Sequence, residues 1–209
     1  METTLYYPEP IQITTPQPWQ WHVLATAFWN DPGFRFYFGE RRTEKNYRQF
    51  MEAIVKGTLE SGGSIFANPD KSAVIVWRWH GAELPEDRKQ QMFDALGPEG
   101  SKRYLWIRQA ADMTIPPGER KHTMQPNYVG VLPDMQCKGY GSYLIKWTLN
   151  HFDKLGFTTP FLVASTPRSA KLYGPLIGFH VDYKVPLGEN NPEFILVMKR
   201  NGGGRPWKT

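Results

Sequence analysis

Cysteine is almost missing from this chain: Cys137 stands alone among 209 residues. One thiol cannot close an intramolecular disulfide, which excludes a disulfide-stapled scaffold and fits a reducing compartment. Long apolar runs are missing as well. The longest, such as Ala73-Val74-Ile75-Val76-Trp77, spans five residues, whereas a membrane-spanning helix needs roughly 20. No membrane association is therefore expected. Met1-Glu2-Thr3-Thr4 brings an acid and no apolar stretch, so no secretory leader is expected and the location reads as cytoplasmic. Basic clusters are missing too: no run of Lys and Arg exceeds two residues, despite a formal net charge of +5. That excludes a nucleic-acid-binding tract of the usual kind and leaves room for a phosphate-bearing small ligand.

What remains is a chain with 40% apolar and 22% charged residues, ordinary for one soluble domain with a real core. The reading is a single domain over residues 1–200 with a flexible tail at 201–209. Ile11-Gln12-Ile13 alternates like a strand, and Pro18 opens a helix that stops at Asn30-Asp31-Pro32-Gly33. Tyr47, Phe50, Met51 and Ile54 follow a helical period after Thr43. Two strands, 65–67 and 73–77, flank the turn Asn68-Pro69-Asp70-Lys71. Residues 85–112 read as a helix in two pieces broken at Gly97-Pro98, followed by a proline-rich loop from Thr114 to Lys121. A strand at 128–132 precedes the best helix, 140–155, where Leu144, Ile145, Leu149 and Phe152 share a face and Gly156 is the stop. A strand at 161–164, a helix at 168–177 and strands near 179–186 and 194–199 complete an α/β fold with helices on both sides of a mixed sheet.

The stretch from Val129 to Ser142 carries the chemistry. It reads as a strand, a tight loop with Gly139 and Gly141, then the strong helix. Unpaired N–H groups at such a helix start converge on one spot and, with the helix dipole, favour an anion. Lys138 adds a positive charge. The spacing fits neither G-x-G-x-x-G nor G-x-x-x-x-G-K-[ST].

Gln136-Cys137-Lys138-Gly139-Tyr140-Gly141 does resemble the Q/R-x-x-G-x-G/A signature of the GCN5-related N-acetyltransferase (GNAT) family. Downstream, Ser165-Thr166-Pro167-Arg168-Ser169, Leu172-Tyr173 and Gly178-Phe179 resemble that family's S-x-P-R-N…Y…G-F segment. Ala27-Phe28-Trp29-Asn30-Asp31-Pro32, Ala73–Trp77 and Val185-Pro186-Leu187-Gly188 are similar to its small-molecule subgroup, which includes puromycin N-acetyltransferase. The resemblance spans about residues 11 to 199. It implies a central, mostly antiparallel sheet of six to seven strands splayed between the fourth and fifth, with acetyl-CoA in the gap.

By motif position, the resemblance implies that backbone N–H groups of Gln136, Cys137, Lys138, Gly139, Tyr140 and Gly141 hold the cofactor's pyrophosphate, and that Ser142 and Ser169 also belong to the cofactor site. Val131 would bond the pantetheine arm. The Val129 N–H would serve the thioester oxygen, and Tyr173 would protonate the departing thiolate. A covalent enzyme intermediate is not required, because holding two reactants together contributes on the order of 7–11 kcal/mol. Three positions depart from the family pattern: Ser169 replaces asparagine, Cys137 replaces glycine, and Gly174-Pro175 follows Tyr173 with one extra residue before Gly178. A proline there is expected to disturb the helix carrying Tyr173. Gln125 stands where several relatives have a glutamate base, and a neutral amide cannot take a proton. His122 is the first substitute, ahead of Asp112 and His80.

Eight aromatics lie between Trp19 and Phe38. With Trp77 and Gln125, the region containing Phe28, Trp29 and Phe34 is expected to form an acceptor wall, suited to a flat or apolar amine. The expected activity is acetyl transfer to a primary amine on a small molecule, by a monomer or homodimer without metal. A protein N-terminus or lysine as acceptor stays open. So does an acyl-CoA-binding or sensing domain without catalysis.

Overall fold

The computed structural model describes residues 7–111, 120–188 and 191–200. Asp112, most of the proline-rich loop and the tail at 201–209 lie outside them. Strand β1 (Ile11–Ile13) leads into helices α1 (Pro18–Ala27), α2 (Pro32–Phe38) and α3 (Glu44–Glu60). Strands β2 (Ser64–Ala67) and β3 (Ala73–Trp79) precede α4 (Glu86–Ala110) and β4 (Met124–Val131). Helix α5 (Tyr140–Lys154), strand β5 (Phe161–Ala164), helix α6 (Pro167–Ile177), and strands β6 (Phe179–Pro186) and β7 (Phe194–Arg200) follow.

Among the described residues seven strands form two sheets, β1-β2-β3-β4 and β5-β7-β6, in which every ladder is antiparallel. The sheets touch where β4 begins. There the Thr158 N–H donates to the His122 carbonyl at 2.7 Å and the Met124 N–H donates to the Thr158 carbonyl at 2.9 Å. That bridge, Thr123 with Thr158, runs parallel, and beyond it β5 pairs with β7 instead. The two sheets therefore part between β4 and β5, as the resemblance implied.

Strand β3 is buried on both faces because its side chains alternate between two cores. Val74 and Val76 join the core beneath α1, α3 and α4, whereas Ala73, Ile75 and Trp77 join the core beneath α5. Leu144, Ile145, Leu149 and Phe152 of α5 are nearly or fully inaccessible, and burying each such side chain stabilises the fold by about 1.5–3 kcal/mol. Gly156, at φ 81°, ends that helix in the left-handed region as expected. The long helix α4 breaks where the sequence places Gly97-Pro98, with Gly97 at φ 71°. Helix α2 was not expected. Pro32 fixes its first turn, and the Asp31 carboxylate accepts from the Phe34 N–H at 3.1 Å.

One buried ion pair ties the two halves together. Arg200 of β7 donates through Nη1 to Asp153 of α5 at 3.2 Å, a second contact runs from Nη2, and both side chains are almost wholly inaccessible. Removing one partner strands a buried charge, so Asp153→Ala is expected to cost about 3 kcal/mol. A thermal melt checks this: the expected drop in Tm is roughly 2–4 °C per kcal/mol for a chain of this size.

Candidate active site

A cavity of about 770 Å³ occupies the gap between β4 and β5. One end is the loop before α5. Gly139 there adopts φ 83°, a conformation that costs a residue with a Cβ. A Cβ on Gly141 would come within 3.2 Å of a Val131 methyl, so glycine keeps the cavity open against β4. The first-turn N–H groups of α5 lack helical partners and can receive an anion. Arg168, from the first turn of α6, closes this end by donating to the Cys137 sulfur at 2.6 Å. These features fit a diphosphate.

Val129 and Val131 line the middle. The Leu132 N–H donates back toward β3, to Ser72 at 2.9 Å. With a backbone period of two, the polar groups of Val131 and Val129 therefore face the opposite edge, toward the gap. The Val131 carbonyl accordingly accepts from Gln136 Nε2 at 3.0 Å. Tyr173 lines the same stretch. Helix α6 runs through Pro175 to Ile177, so the proline does not end it. Burial, then the Asp31 carboxylate, pushes the Tyr173 phenol up to about 12, so it keeps its proton at neutral pH and stays a hydrogen-bond donor.

Most residues expected to hold a cofactor come together here. Gln136, Cys137, Gly139, Tyr140, Gly141, Ser142, Val129, Val131, Ser169 and Tyr173 all line the cavity. Ser169 also caps α6, exchanging hydrogen bonds with Thr166. Lys138 is not among the lining residues; its Nζ turns to the Met135 sulfur at 3.8 Å.

At the other end, Phe28, Phe34 and Gln125 line the cavity. Trp77 and Trp29 do not. Strand alternation sends Trp77 into the core beneath α5, and Trp29 packs on Tyr47 at 5.0 Å with the Arg42 guanidinium 4.6 Å from its ring. His122 is exposed at the closed base of the splay, and neither it nor His80 reaches the cavity lining.

The structure adds residues that local patterns did not reveal. Asp31, read as part of a turn, faces the cavity. Burial raises its carboxyl above the usual carboxylate range, while hydrogen bonds from Ser165, Phe34 and Gly33 and the Arg35 charge pull the other way. Arg78 of β3 and Tyr104 and Arg108 of α4 meet Tyr37 and Tyr128 at the same end. Arg78 is 8% exposed and donates to the Ala82 carbonyl at 2.6 Å. Burial, and then the like charge of Arg108, holds its proton less tightly than usual. Arg108 donates to the Tyr104 hydroxyl at 3.3 Å. One sequence signal for Arg78 existed: it is the charge that interrupts an otherwise apolar buried strand.

No protein-family profile and no curated protein sequence matches the chain. Solved structures do. A Corynebacterium glutamicum protein described as histone acetyltransferase HPA2 and related acetyltransferase superposes with a TM-score of 0.60 at 21% identity, over 96% of this chain and 98% of that one. Arylalkylamine N-acetyltransferase 2 from Aedes aegypti gives 0.61 at 13% identity, over 91% and 97%. An agmatine N-acetyltransferase gives 0.52 at 13%, over 91% and 98%. Among the described residues, no helix is long and apolar enough to cross a membrane, and no group of His, Cys, Asp and Glu could hold a metal ion. The splayed sheets, the phosphate-type loop before α5 and these superpositions together identify the architecture as the GCN5-related N-acetyltransferase fold.

Proposed function

We propose that this protein is an acyl-CoA-dependent N-acyltransferase that moves an acetyl group from acetyl-CoA to the amine of a small molecule. The observation that carries the reading is the continuous cavity running from the phosphate-type loop, past Val129 and Tyr173, to a chamber lined by Phe28, Phe34, Asp31 and Tyr128. One end suits a diphosphate, the middle suits a thioester, and the far end suits a second reactant. The two are held for direct attack, worth on the order of 7–11 kcal/mol.

Asp31 takes the proton that an ammonium must lose, and its raised carboxyl makes it a better base than an ordinary aspartate. The amine nitrogen bonds to the thioester carbon, the Val129 N–H stabilises the oxygen as charge develops, and the C–S bond breaks. One such donor contributes about 3 kcal/mol. Tyr173 gives its proton to the departing thiolate and is restored by the proton that the acylated nitrogen sheds as it becomes a neutral amide. The lining of the acceptor end, with Arg78 and Arg108, is not the acidic groove that a lysine-bearing protein would favour.

Thiol release from acetyl-CoA with a panel of amines tests the proposal. At least one small amine is expected to raise release well above the hydrolytic background. Calorimetric binding of CoA with no release for any amine would favour the sensing domain instead.

A further inference from the structure

We propose that the acceptor carries an oxyanion, a carboxylate or a phosphate, as well as its amine, and that Arg78 and Arg108 bind it at the far end of the cavity. The proposal rests on the acyltransferase reading for the amine, but its anion site stands on geometry of its own.

Arg78 is a cation placed inside a strand whose neighbours are core. It is more than nine-tenths buried and lines the cavity, and no ion pair among the described residues includes it. The Ala82 carbonyl accepts from one of its nitrogens, whereas a guanidinium offers five N–H donors in a fork that matches a carboxylate or phosphate. Arg108 lines the same cavity from α4, one helical turn beyond Tyr104, and its charge is felt at Arg78. Arg78 holds its charge inside a low-dielectric wall, with the like charge of Arg108 felt there as well, and an anion beside it offsets that cost.

The register of the sheet sharpens the point. Arg78 lies directly opposite Gln125 in the β3–β4 ladder, so both side chains share one face at neighbouring distance. A glutamate in place of Gln125 would neutralise Arg78 from within the protein. The neutral amide leaves that positive charge for a ligand.

Matched amines test this: phenethylamine against phenylalanine, and ethanolamine against O-phosphoethanolamine, each assayed by thiol release from acetyl-CoA. The anionic member of at least one pair is expected to show a kcat/KM at least tenfold higher, and which pair responds tells carboxylate from phosphate. Gln125→Glu is expected to raise KM for that anionic amine at least tenfold and to collapse the preference within its pair. Arg78→Gln should do the same, and Arg108→Gln, on a separate element, repeats the test should Arg78→Gln fold poorly. Equal or better turnover of the members without an oxyanion, unaltered by Gln125→Glu and Arg108→Gln, overturns the proposal. Calorimetric titration of phenylalanine and O-phosphoethanolamine separates the two readings. Binding that Gln125→Glu weakens, with no turnover of any amine, keeps the anion site and removes the transferase. Turnover of amines without an oxyanion, with no measurable binding of phenylalanine or O-phosphoethanolamine, does the reverse.

Discussion

Replacing Asp31 with asparagine is expected to lower kcat/KM for amine acetylation by about 10²–10⁴-fold, the usual worth of a general base, without lowering Tm at neutral pH. The two effects separate because Asp31 has two jobs. As the cap of α2 its side-chain oxygen accepts from the Phe34 N–H, and asparagine caps a helix as well as aspartate does. As a base it needs the charge that asparagine lacks. Burial raises the folded-state pKa of Asp31 above its unfolded value. Its contribution to stability is then fully present below the unfolded pKa and is lost as pH rises through the folded one. At neutral pH the ionised carboxylate is a cost, so the asparagine variant should melt at the same temperature or higher. Its kcat/KM should also lose the acid limb, which in the unmodified protein lies above the ordinary carboxylate range. Thermal melts and pH–rate profiles on both proteins check this, and an undiminished rate removes Asp31 as the base.

The same residue shows why some of the site was legible in the sequence and some was not. Asn30-Asp31-Pro32-Gly33 is locally a turn and a helix start, and that reading is correct for the backbone. Nothing local says that the carboxylate also turns toward Ser165 and Tyr173, which lie across the gap. The phosphate-type loop was legible because strand, glycines and helix are contiguous from Val129 to Leu155. The far end was not, because Arg78, Tyr104 and Tyr128 come from β3, α4 and β4 and meet only when those elements pack. Helix α2 escaped notice for a different reason. Phe34, Phe36, Tyr37 and Phe38 put aromatics on every side of a seven-residue helix, so no apolar stripe marks it. The same density made Trp29 read as acceptor wall, although it packs on Tyr47 within the core region. Trp77 misled through strand parity: one residue earlier or later in β3 faces the other core.

Tyr173→Phe is expected to reduce kcat by about 10²-fold, toward the low end for a general acid because a thiolate is already a fair leaving group. The ring stays, so its packing beside Leu172 in the core beneath α5 is retained and CoA affinity should change little. Burial holds the phenol at about 12, so across the neutral and mildly alkaline range the unmodified protein keeps this proton. The loss in the phenylalanine variant should then be the same at every pH in that range. A purely structural tyrosine would instead show up as a lower Tm or weaker CoA binding with kcat preserved. The pair of variants also gives an internal check on direction. The acid limb of the rate profile should vanish in Asp31→Asn and persist in Tyr173→Phe, since one group must be ionised and the other must not. If both variants lose the same limb, the proton bookkeeping assigned to these two residues is wrong, whatever the size of the rate losses.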